Sequence, residues 1–194
     1  YSHLPLPEFN TSTSVSPNTS FIIPIKQGGV VFGARFDENW EVKHDYTETI
    51  DGVSVFRGSK YVQSKTGDTF KQAEQFLKQN RKVLFSGTPC QIVALKRYLK
   101  KEYENLLLVD FICHGGPSPG VWRKYLKQVI ALTCDKNTVS SHLKLLLSER
   151  NALVEGISFR DKRLGWQKYS FSLTLSTTDE SGNKNTVSLS ESLN

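Results

Sequence analysis

The sequence contains no methionine and only three cysteines among its 194 residues. It also lacks an apolar stretch long enough to span a bilayer and lacks a signal-peptide pattern, so we expect a cytoplasmic protein without a membrane span. Three widely spaced cysteines do not make the disulfide framework that is typical of small secreted domains. Because the chain opens on Tyr1 and has no methionine, we expect a fragment of a longer polypeptide.

A concentrated basic patch is also missing, although the formal net charge is +6 and the pI is about 9.2. The densest basic cluster lies on one predicted helix and comprises Lys96, Arg97, Lys100 and Lys101. On that helix these side chains lie opposite the apolar face, which indicates a solvated surface, and we expect no nucleic-acid partner. Scattered positive charge would still suit an anionic cofactor or an acidic partner protein.

What the sequence does contain is one design that occurs twice between residues 82 and 128. In the first copy, an apolar run at residues 83–85 breaks at Ser86-Gly87, and Thr88-Pro89 precedes a helical pattern. Thr88 suits the N-cap, and Pro89 suits the first helical position because its missing N–H is not needed there. Cys90 therefore lies in the first turn of a predicted helix, directly after a strand.

The second copy has the same order of features. Apolar residues 106–109 continue to Phe111-Ile112, the cysteine is Cys113, and Ser118-Pro119 repeats the cap before a helix. Long apolar runs of this kind predict strands that are covered on both faces, as in a parallel sheet. A single helical crossover makes such strands neighbours or near neighbours, so both cysteines would open onto one edge of the sheet.

Ligands collect at that edge of an open α/β sheet, beyond the carboxyl ends of the strands. Two thiols placed there, beside the positive ends of two helix dipoles, would be acidic and suited to redox chemistry or metal ligation. Cysteine is also among the most frequently buried residues, so plain packing is the alternative for either thiol alone. Their matched placement favours a functional role.

The rest of the pattern completes a single α/β domain over residues 28–194. It follows an irregular arm or linker at residues 1–27 that is rich in Ser, Thr, Pro and Asn. The other predicted elements are, in chain order, a β-hairpin at 30–44, a strand and turn at 53–63, a helix after Gly67-Asp68, a short helix or connector at 134–153 and a hairpin at 171–189. The predicted fold is therefore α/β, with a mixed or parallel sheet built from two strand-Cys-turn-helix units and flanked by β-hairpins.

Six motifs follow one another in a specific order over about residues 28–169. They are Lys60-Tyr61-Val62-Gln63-Ser64, Ser86-Gly87-Thr88-Pro89-Cys90-Gln91, Val109-Asp110, Cys113-His114-Gly115, Pro117-Ser118-Pro119 with Trp122, and Ile157-Ser158-Phe159-Arg160-Asp161-Lys162 with Gly165-Trp166. In this order they resemble the beta subunits of coenzyme F420-reducing hydrogenases and dehydrogenases and their bacterial relatives. From spacing alone, the first and last motifs also suit an ordinary strand and turn and a surface strand with an anchoring Trp.

The resemblance implies a flavin- and iron-sulfur-dependent oxidoreductase subunit. Electrons would pass between a 4Fe-4S cluster, FAD and a soluble two-electron carrier, which is coenzyme F420 or a substitute, because flavin exchanges both single electrons and hydride. Carried over by motif, Cys90 and Cys113 are the expected cluster ligands. The expected partner is a redox partner protein or a ferredoxin-like domain, and the resemblance also allows an oligomer. The expected flavin or substrate contacts are Lys60, Tyr61, Ser64, Thr88, Gln91, His114, Gly115 and Arg160.

The match to the family pattern is incomplete. A 4Fe-4S cluster takes four thiolates, whereas the remaining Cys134 lies beyond the second predicted helix and matches no motif of the family. A downstream cysteine pair and the amino-terminal ferredoxin-like motifs of relatives are missing, which again indicates an incomplete polypeptide.

Three other interpretations stay open. Cys113 could be a nucleophile with His114 as its base, although adjacent residues at a strand end point to opposite faces. Cys90, Cys113 and His114 could bind zinc, but they lack the close paired spacing of structural zinc sites. A degenerate homologue could instead be a non-catalytic binding or assembly module, which would be colourless where a catalytic member is yellow-brown.

Overall fold

The computed structural model describes residues 24–135, 153–161, 170–178 and 184–192. Within these ranges the chain forms a four-stranded sheet with helices packed on it and a separate three-stranded sheet. The predicted α/β class is therefore confirmed. Most of the predicted arm lies outside the described residues, although Pro24 accepts a hydrogen bond from the Gly29 amide at 2.8 Å in a turn that leads into the first strand.

The larger sheet is mixed. Its strands are β1 (Val30–Phe36), β2 (Val42–Thr47), β3 (Val83–Gly87) and β4 (Leu106–Asp110). They lie in the order β2-β1-β3-β4, with β1 and β2 antiparallel as the predicted hairpin and with β1, β3 and β4 parallel. The two strand-Cys-turn-helix units therefore contribute adjacent parallel strands, as the sequence predicts.

The helices begin where the sequence pattern places their caps. They are α1 (Thr69–Lys78), α2 (Pro89–Leu99) and α3 (Pro119–Asp135). The Gln91 side-chain oxygen accepts a hydrogen bond from the Thr88 amide at 3.0 Å, and the Ser118 hydroxyl accepts one from the Val121 amide at 3.4 Å. No helix within the described ranges is both long enough and apolar enough to cross a membrane.

The first hydrophobic core lies between the mixed sheet and helices α1 and α2. Phe32 of β1 and Phe85 of β3 stack with ring centroids 5.4 Å apart. The other buried members are Val30, Ala73, Leu77, Val83, Ile92, Leu95 and Leu99. Helix α1 therefore packs its apolar face on the sheet just before β3, as its periodicity predicts.

The second sheet is antiparallel and shares a second, largely aromatic core with α3. Its strands, in spatial order, are β5 (Leu153–Asp161), β6 (Ser170–Thr178) and β7 (Lys184–Ser192), and the last two form the predicted second hairpin. Trp122 of α3 packs on Phe159 and Phe171, with centroid distances of 5.1 and 6.3 Å. The Trp122 indole donates to the Trp40 carbonyl at 2.7 Å, and the Trp40 indole donates to the Val154 carbonyl at 3.0 Å. These two bonds join α3, the β1–β2 turn and β5.

The predicted burial of the second repeated strand is wrong. Strand β4 ends at Asp110, and Phe111 and Ile112 are exposed. Leu107 within the strand is 42% exposed. Because no strand pairs with the outer side of β4 among the described residues, β4 is an edge strand and its apolar residues are only partly covered.

Two smaller predictions also differ from the structure. A 3-10 helix (Asp51–Phe56) replaces the strand predicted from residue 53, because polar side chains close a local turn, with the Gly52 amide donating to the Thr49 hydroxyl at 3.2 Å. Cys134 lies in the last turn of α3, not beyond the second helix. The helix extends that far because the apolar periodicity continues through Val129 and Ile130, which pack against the second core.

Gly33 is the position at which the 3-10 helix packs on β1. A Cβ atom at Gly33 would lie only 2.9 Å from Cγ of Phe56. The missing side chain therefore leaves room for the Phe56 ring against the strand.

We expect Gly33→Ala to lower the free energy of unfolding by about 1–3 kcal/mol, because the new methyl group overlaps the Phe56 ring. Adding Phe56→Leu should restore part of the loss, since leucine has no ring at this contact. Chemical denaturation of the single and double variants measures both effects. An equal loss from Gly33→Ala with and without Phe56→Leu would contradict this packing.

Candidate functional site

The two cysteine loops leave the sheet side by side. Gly87 at the end of β3 pairs with Asp110 at the end of β4. Cys90 lies three residues after Gly87, and Cys113 lies three residues after Asp110. Both cysteines are exposed. The parallel register therefore delivers both cysteine loops to one edge of the sheet, beyond the carboxyl ends of β3 and β4.

The loop that carries Cys113 is open to solvent. The Gly115 amide donates to the Cys113 sulfur at 3.4 Å, and Gly115 has a φ of 96°, a conformation that favours glycine. His114 is exposed, and no hydrogen bond joins it to Cys113 in this part of the described chain. The geometry therefore does not provide the proton transfer that a nucleophilic Cys113 with a His114 base requires.

A buried histidine that the sequence analysis did not single out lies behind the Cys90 loop. His44 of β2 is 5% exposed, and its ring stacks on Phe85 at a centroid distance of 5.3 Å. Its Nε2 is 3.0 Å from the Ser86 carbonyl oxygen, and its Nδ1 is 2.8 Å from the Ser64 hydroxyl. Burial lowers the pKa of His44, and the hydrogen bond to Ser86 opposes this only in part. The imidazole is therefore neutral at physiological pH.

Side chains connect this histidine to Cys90. The Gln91 amide nitrogen donates to the Ser64 hydroxyl at 2.8 Å, and the Thr88 hydroxyl donates to the Gln91 oxygen at 3.0 Å. The Thr88 hydroxyl also lies 3.0 Å from the Cys90 sulfur. Three of the predicted contact residues, Ser64, Thr88 and Gln91, thus belong to one hydrogen-bonded chain between Cys90 and His44.

Residues 60–65, here called the bridging segment, reach both cysteine loops. The Gln63 amide donates to the Pro117 carbonyl at 3.0 Å, in the loop that follows Cys113. The backbones are close there, since a Cβ atom on Gly116 would lie 3.6 Å from the Gln63 nitrogen. One residue later, Ser64 binds Gln91 in the helix of Cys90. A single short segment therefore positions the two loops relative to each other.

A buried carboxylate holds the end of the bridging segment. Glu41 is 8% exposed, and its two oxygens pair with Lys65 and with Arg123 of α3. The hydrogen bonds from Lys65 and then Arg123 lower the pKa of Glu41 below its ordinary value, although burial opposes them. This ion-pair network links the bridging segment to the helix that follows the second cysteine.

A cationic cleft of about 460 Å³ opens at the start of the bridging segment. Its charged lining residues are Arg35, Arg57, Lys60 and Arg160, and none of the described residues that line it is acidic. Phe36, Val55 and Ile157 give it an apolar part. Because Arg35 and Phe36 end strand β1, the cleft lies at the same carboxyl edge of the parallel strands as the cysteine loops. Its charge suits a phosphate or carboxylate ligand.

Lys60 occupies a specific place in this cleft. Its Nζ donates to the carbonyls of Phe56, Arg57 and Gly58 at 3.3, 2.9 and 3.1 Å. Burial lowers the pKa of Lys60 to about 8. Lys60 therefore holds the turn that forms the cleft wall and contributes charge, while its N–H groups are already bonded to the backbone.

The remaining predicted residues are less closely connected. Tyr61 is 51% exposed and packs edge-on against Phe159 at 5.8 Å. Lys162 and Trp166, which belong to the same sequence motif as Arg160, lie outside the described residues. Within the described ranges, no three His, Cys, Asp or Glu side chains gather as a metal site. The metal donors that the two cysteine loops carry are the thiols of Cys90 and Cys113 and the imidazole of His114.

Comparison with known proteins identifies the segment that contains both cysteines. Residues 80–152 match the family model for the C terminus of the coenzyme F420 hydrogenase/dehydrogenase beta subunit. Over this segment the chain is similar to that beta-subunit family. The matched segment includes both strand-Cys-turn-helix units, so the resemblance found in the sequence is confirmed. The matched family is one of hydrogenase and dehydrogenase beta subunits.

A solved structure is also similar. It is a chain of the F420-reducing NiFe hydrogenase complex from Methanosarcina barkeri, at 16% sequence identity and a TM-score of 0.46. The similarity covers 88% of the present chain and 53% of the hydrogenase chain, so the present chain spans about half of the length of that chain. No curated protein matches the chain.

The Glu41 ion pairs predict a loss of stability in acid. Lys65 and Arg123 hold the folded-state pKa of Glu41 below its unfolded value of about 4.3. Their contribution is therefore complete above that value and is lost as the pH falls through the lower folded pKa. Between about pH 6 and about pH 3, the wild type should lose more free energy of unfolding than Glu41→Gln. Urea denaturation across this range measures the difference, and parallel curves for the two proteins would contradict it.

Proposed function

We propose that this chain is the cofactor-holding part of a redox subunit that moves electrons between a 4Fe-4S cluster, FAD and a soluble two-electron carrier. One observation carries the proposal: the register of β3 and β4 directs two exposed thiols to one sheet edge, within the segment that matches the family. Thiolates are the preferred protein ligands of iron-sulfur clusters.

Thiolate sulfur is the ligand that such a cluster takes, and the two thiols would supply half of its four ligands. Cys90 and Cys113 would hold two of the four iron sites, and the other two ligands would come from outside the described residues. When bound, the cluster supplies single-electron transfer. The protein keeps its two described ligand loops in place through the bridging segment, which bonds to Pro117 on one side and Gln91 on the other.

FAD fits the cationic cleft through its negative diphosphate. Arg57 and Arg160 would contact the phosphates, while Lys60 would hold the cleft wall and add charge. Tyr61, whose ring is exposed, follows Lys60 in the bridging segment, and its carbonyl oxygen would lie 3.7 Å from a Cβ atom on Gly116 of the Cys113 loop. A flavin that starts in this cleft would therefore extend toward the proposed cluster, with the loops at Thr88, Gln91, His114 and Gly115 forming the rest of the edge.

The electron donor and acceptor are proposed by class. The soluble carrier would be coenzyme F420 or a substitute that exchanges two electrons with the flavin. A redox partner protein or a ferredoxin-like domain would exchange single electrons with the cluster. We place this reaction in the cytoplasm.

Anaerobic purification of the longest natural form of the protein tests the cofactor proposal. The sample should show flavin absorbance bands and a broad iron-sulfur shoulder, with iron, sulfide and flavin assayed together. Cys90→Ala and Cys113→Ala should each remove the shoulder and most of the iron but retain FAD, because the cleft lies at the other end of the bridging segment. Cys134→Ala, in the last turn of α3, is the matched control and should retain both cofactors.

A different result would redirect the functional assignment. A colourless protein that takes up neither FAD nor iron on reconstitution would contradict the redox proposal. It would instead favour the non-catalytic binding or assembly module.

Charge removal tests the flavin position. Replacing Arg57 and Arg160 by Gln should weaken FAD binding about tenfold, because charge-assisted hydrogen bonds to the diphosphate are lost. Lys96→Gln with Lys100→Gln removes the same charge from the exposed surface at the C-terminal end of α2 and should leave the affinity nearly unchanged. Flavin fluorescence titration measures both. Equal weakening in the two double variants would show that net charge, not the cleft, determines binding.

A further inference from the structure

The hydrogen-bonded chain behind Cys90 ends at two backbone groups, one of which can only accept a hydrogen bond and the other only donate one. The Ser86 carbonyl can only accept, so Nε2 of His44 must donate to it. The Thr88 amide can only donate, so the atom of Gln91 that faces it at 3.0 Å must be the side-chain oxygen. The orientation of both side chains therefore follows from the backbone.

These two backbone groups determine which atom donates in each hydrogen bond between them. With its proton on Nε2, neutral His44 accepts at Nδ1, so the Ser64 hydroxyl donates at 2.8 Å. The Gln91 amide nitrogen donates to the Ser64 oxygen, also at 2.8 Å. Burial, which lowers the pKa of His44, maintains the neutral ring that this order requires. All donors between Gln91 and Ser86 thus point in one direction.

The same reasoning fixes the Thr88 hydroxyl. Because the Gln91 oxygen only accepts, the Thr88 proton points to it, at 3.0 Å. Thr88 then turns a lone pair toward the Cys90 sulfur at 3.0 Å, and the thiol proton is the donor in that contact. This arrangement suits a thiol that carries a proton. A metal-bound thiolate has no proton to donate, so the contact must reverse when a metal binds.

We propose that Thr88 is a two-position hydrogen-bond donor that adapts the Cys90 sulfur to metal ligation. In the metal-free protein its proton lies toward the Gln91 oxygen. When a metal–sulfur bond forms, the thiol proton leaves to solvent and the Thr88 hydroxyl rotates to donate to the sulfur. The Gln91 oxygen keeps the bond from the Thr88 amide, so no acceptor is left without a donor.

The residues that position this hydroxyl are Gln91, Ser64 and His44. They hold the competing acceptor beside Thr88 through bonds of 2.8 Å that end on buried His44. Hydrogen bonds to ligand atoms commonly adjust the properties of metal sites. The inference rests on the proposed role of Cys90 as a metal ligand and specifies how that ligand is controlled.

Cadmium titration of the metal-free protein tests the proposal. The probe is Cd²⁺ alone, followed by its sulfur charge-transfer absorbance, in a Cys134→Ala background that removes the third thiol. Thr88→Val should weaken Cd²⁺ binding about fivefold, because the bound sulfur loses a charge-assisted hydrogen bond. Thr88→Ser keeps the hydroxyl and should bind nearly as tightly as the parent.

A substitution of Gln91 should change the Cd²⁺ affinity in the opposite direction. Gln91→Leu removes the competing acceptor, so the Thr88 proton is available to the sulfur and Cd²⁺ binding should tighten about threefold. This gain should vanish when Thr88→Val is added, because the two residues act through one hydroxyl. Loss of structure near the helix start would weaken binding and cannot produce the gain, and circular dichroism melting checks the fold of each variant.

The outcomes separate this inference from the proposed function. No change, or equal weakening, in Thr88→Val and Gln91→Leu would overturn the two-position donor even if iron and flavin bind as proposed. The expected cadmium pattern in a protein that forms no iron-sulfur cluster would support the two-position donor and overturn the proposed cofactor.

Discussion

The parallel pairing of β3 and β4 is the constraint on which the site depends. Strand β3 is central and fully buried through Val83, Leu84 and Phe85, so its register is fixed by packing on both faces. Each strand then ends at the same level, and each is followed by a cysteine three residues later. A shift of one residue would turn every side chain of a strand to the other face and separate the two loops. The chemistry of the edge therefore depends on the sheet register more than on the loops themselves.

The bridging segment makes one site out of parts that are distant in sequence. It begins in the cationic cleft at Lys60, reaches the loop after Cys113 through Gln63, binds the helix of Cys90 through Ser64 and ends on Glu41 at Lys65. Glu41 also pairs with α3, which packs on the second sheet. Because both sheets and both cysteine loops meet this segment, a ligand in the cleft would contact the same framework that positions the thiols.

Local signals in the sequence predicted much of this framework. The caps at Thr88 and Ser118, the two hairpins and the strand-Cys-turn-helix repeat depend on neighbours a few residues apart, and they are found where expected. The apolar run of β4 could not show that it is an edge strand, because the sequence of an apolar strand is similar whether or not another strand pairs with its outer side. His44 was missed because its partners Ser64 and Ser86 are 20 and 42 residues away. Its signal was a polar residue two positions after Val42, on the buried face of a predicted strand.

Thiol cross-linking can show directly whether the sheet register brings Cys90 and Cys113 together at one edge. The metal-free protein would be treated with a short bis-alkylating reagent that can bridge only neighbouring thiols, then digested and analysed by mass spectrometry. We expect a dominant peptide pair joined through Cys90 and Cys113, which is lost in either Cys→Ala variant and unaffected by Cys134→Ala. Separate single adducts on the two thiols, with no joined peptide from folded protein, would contradict it.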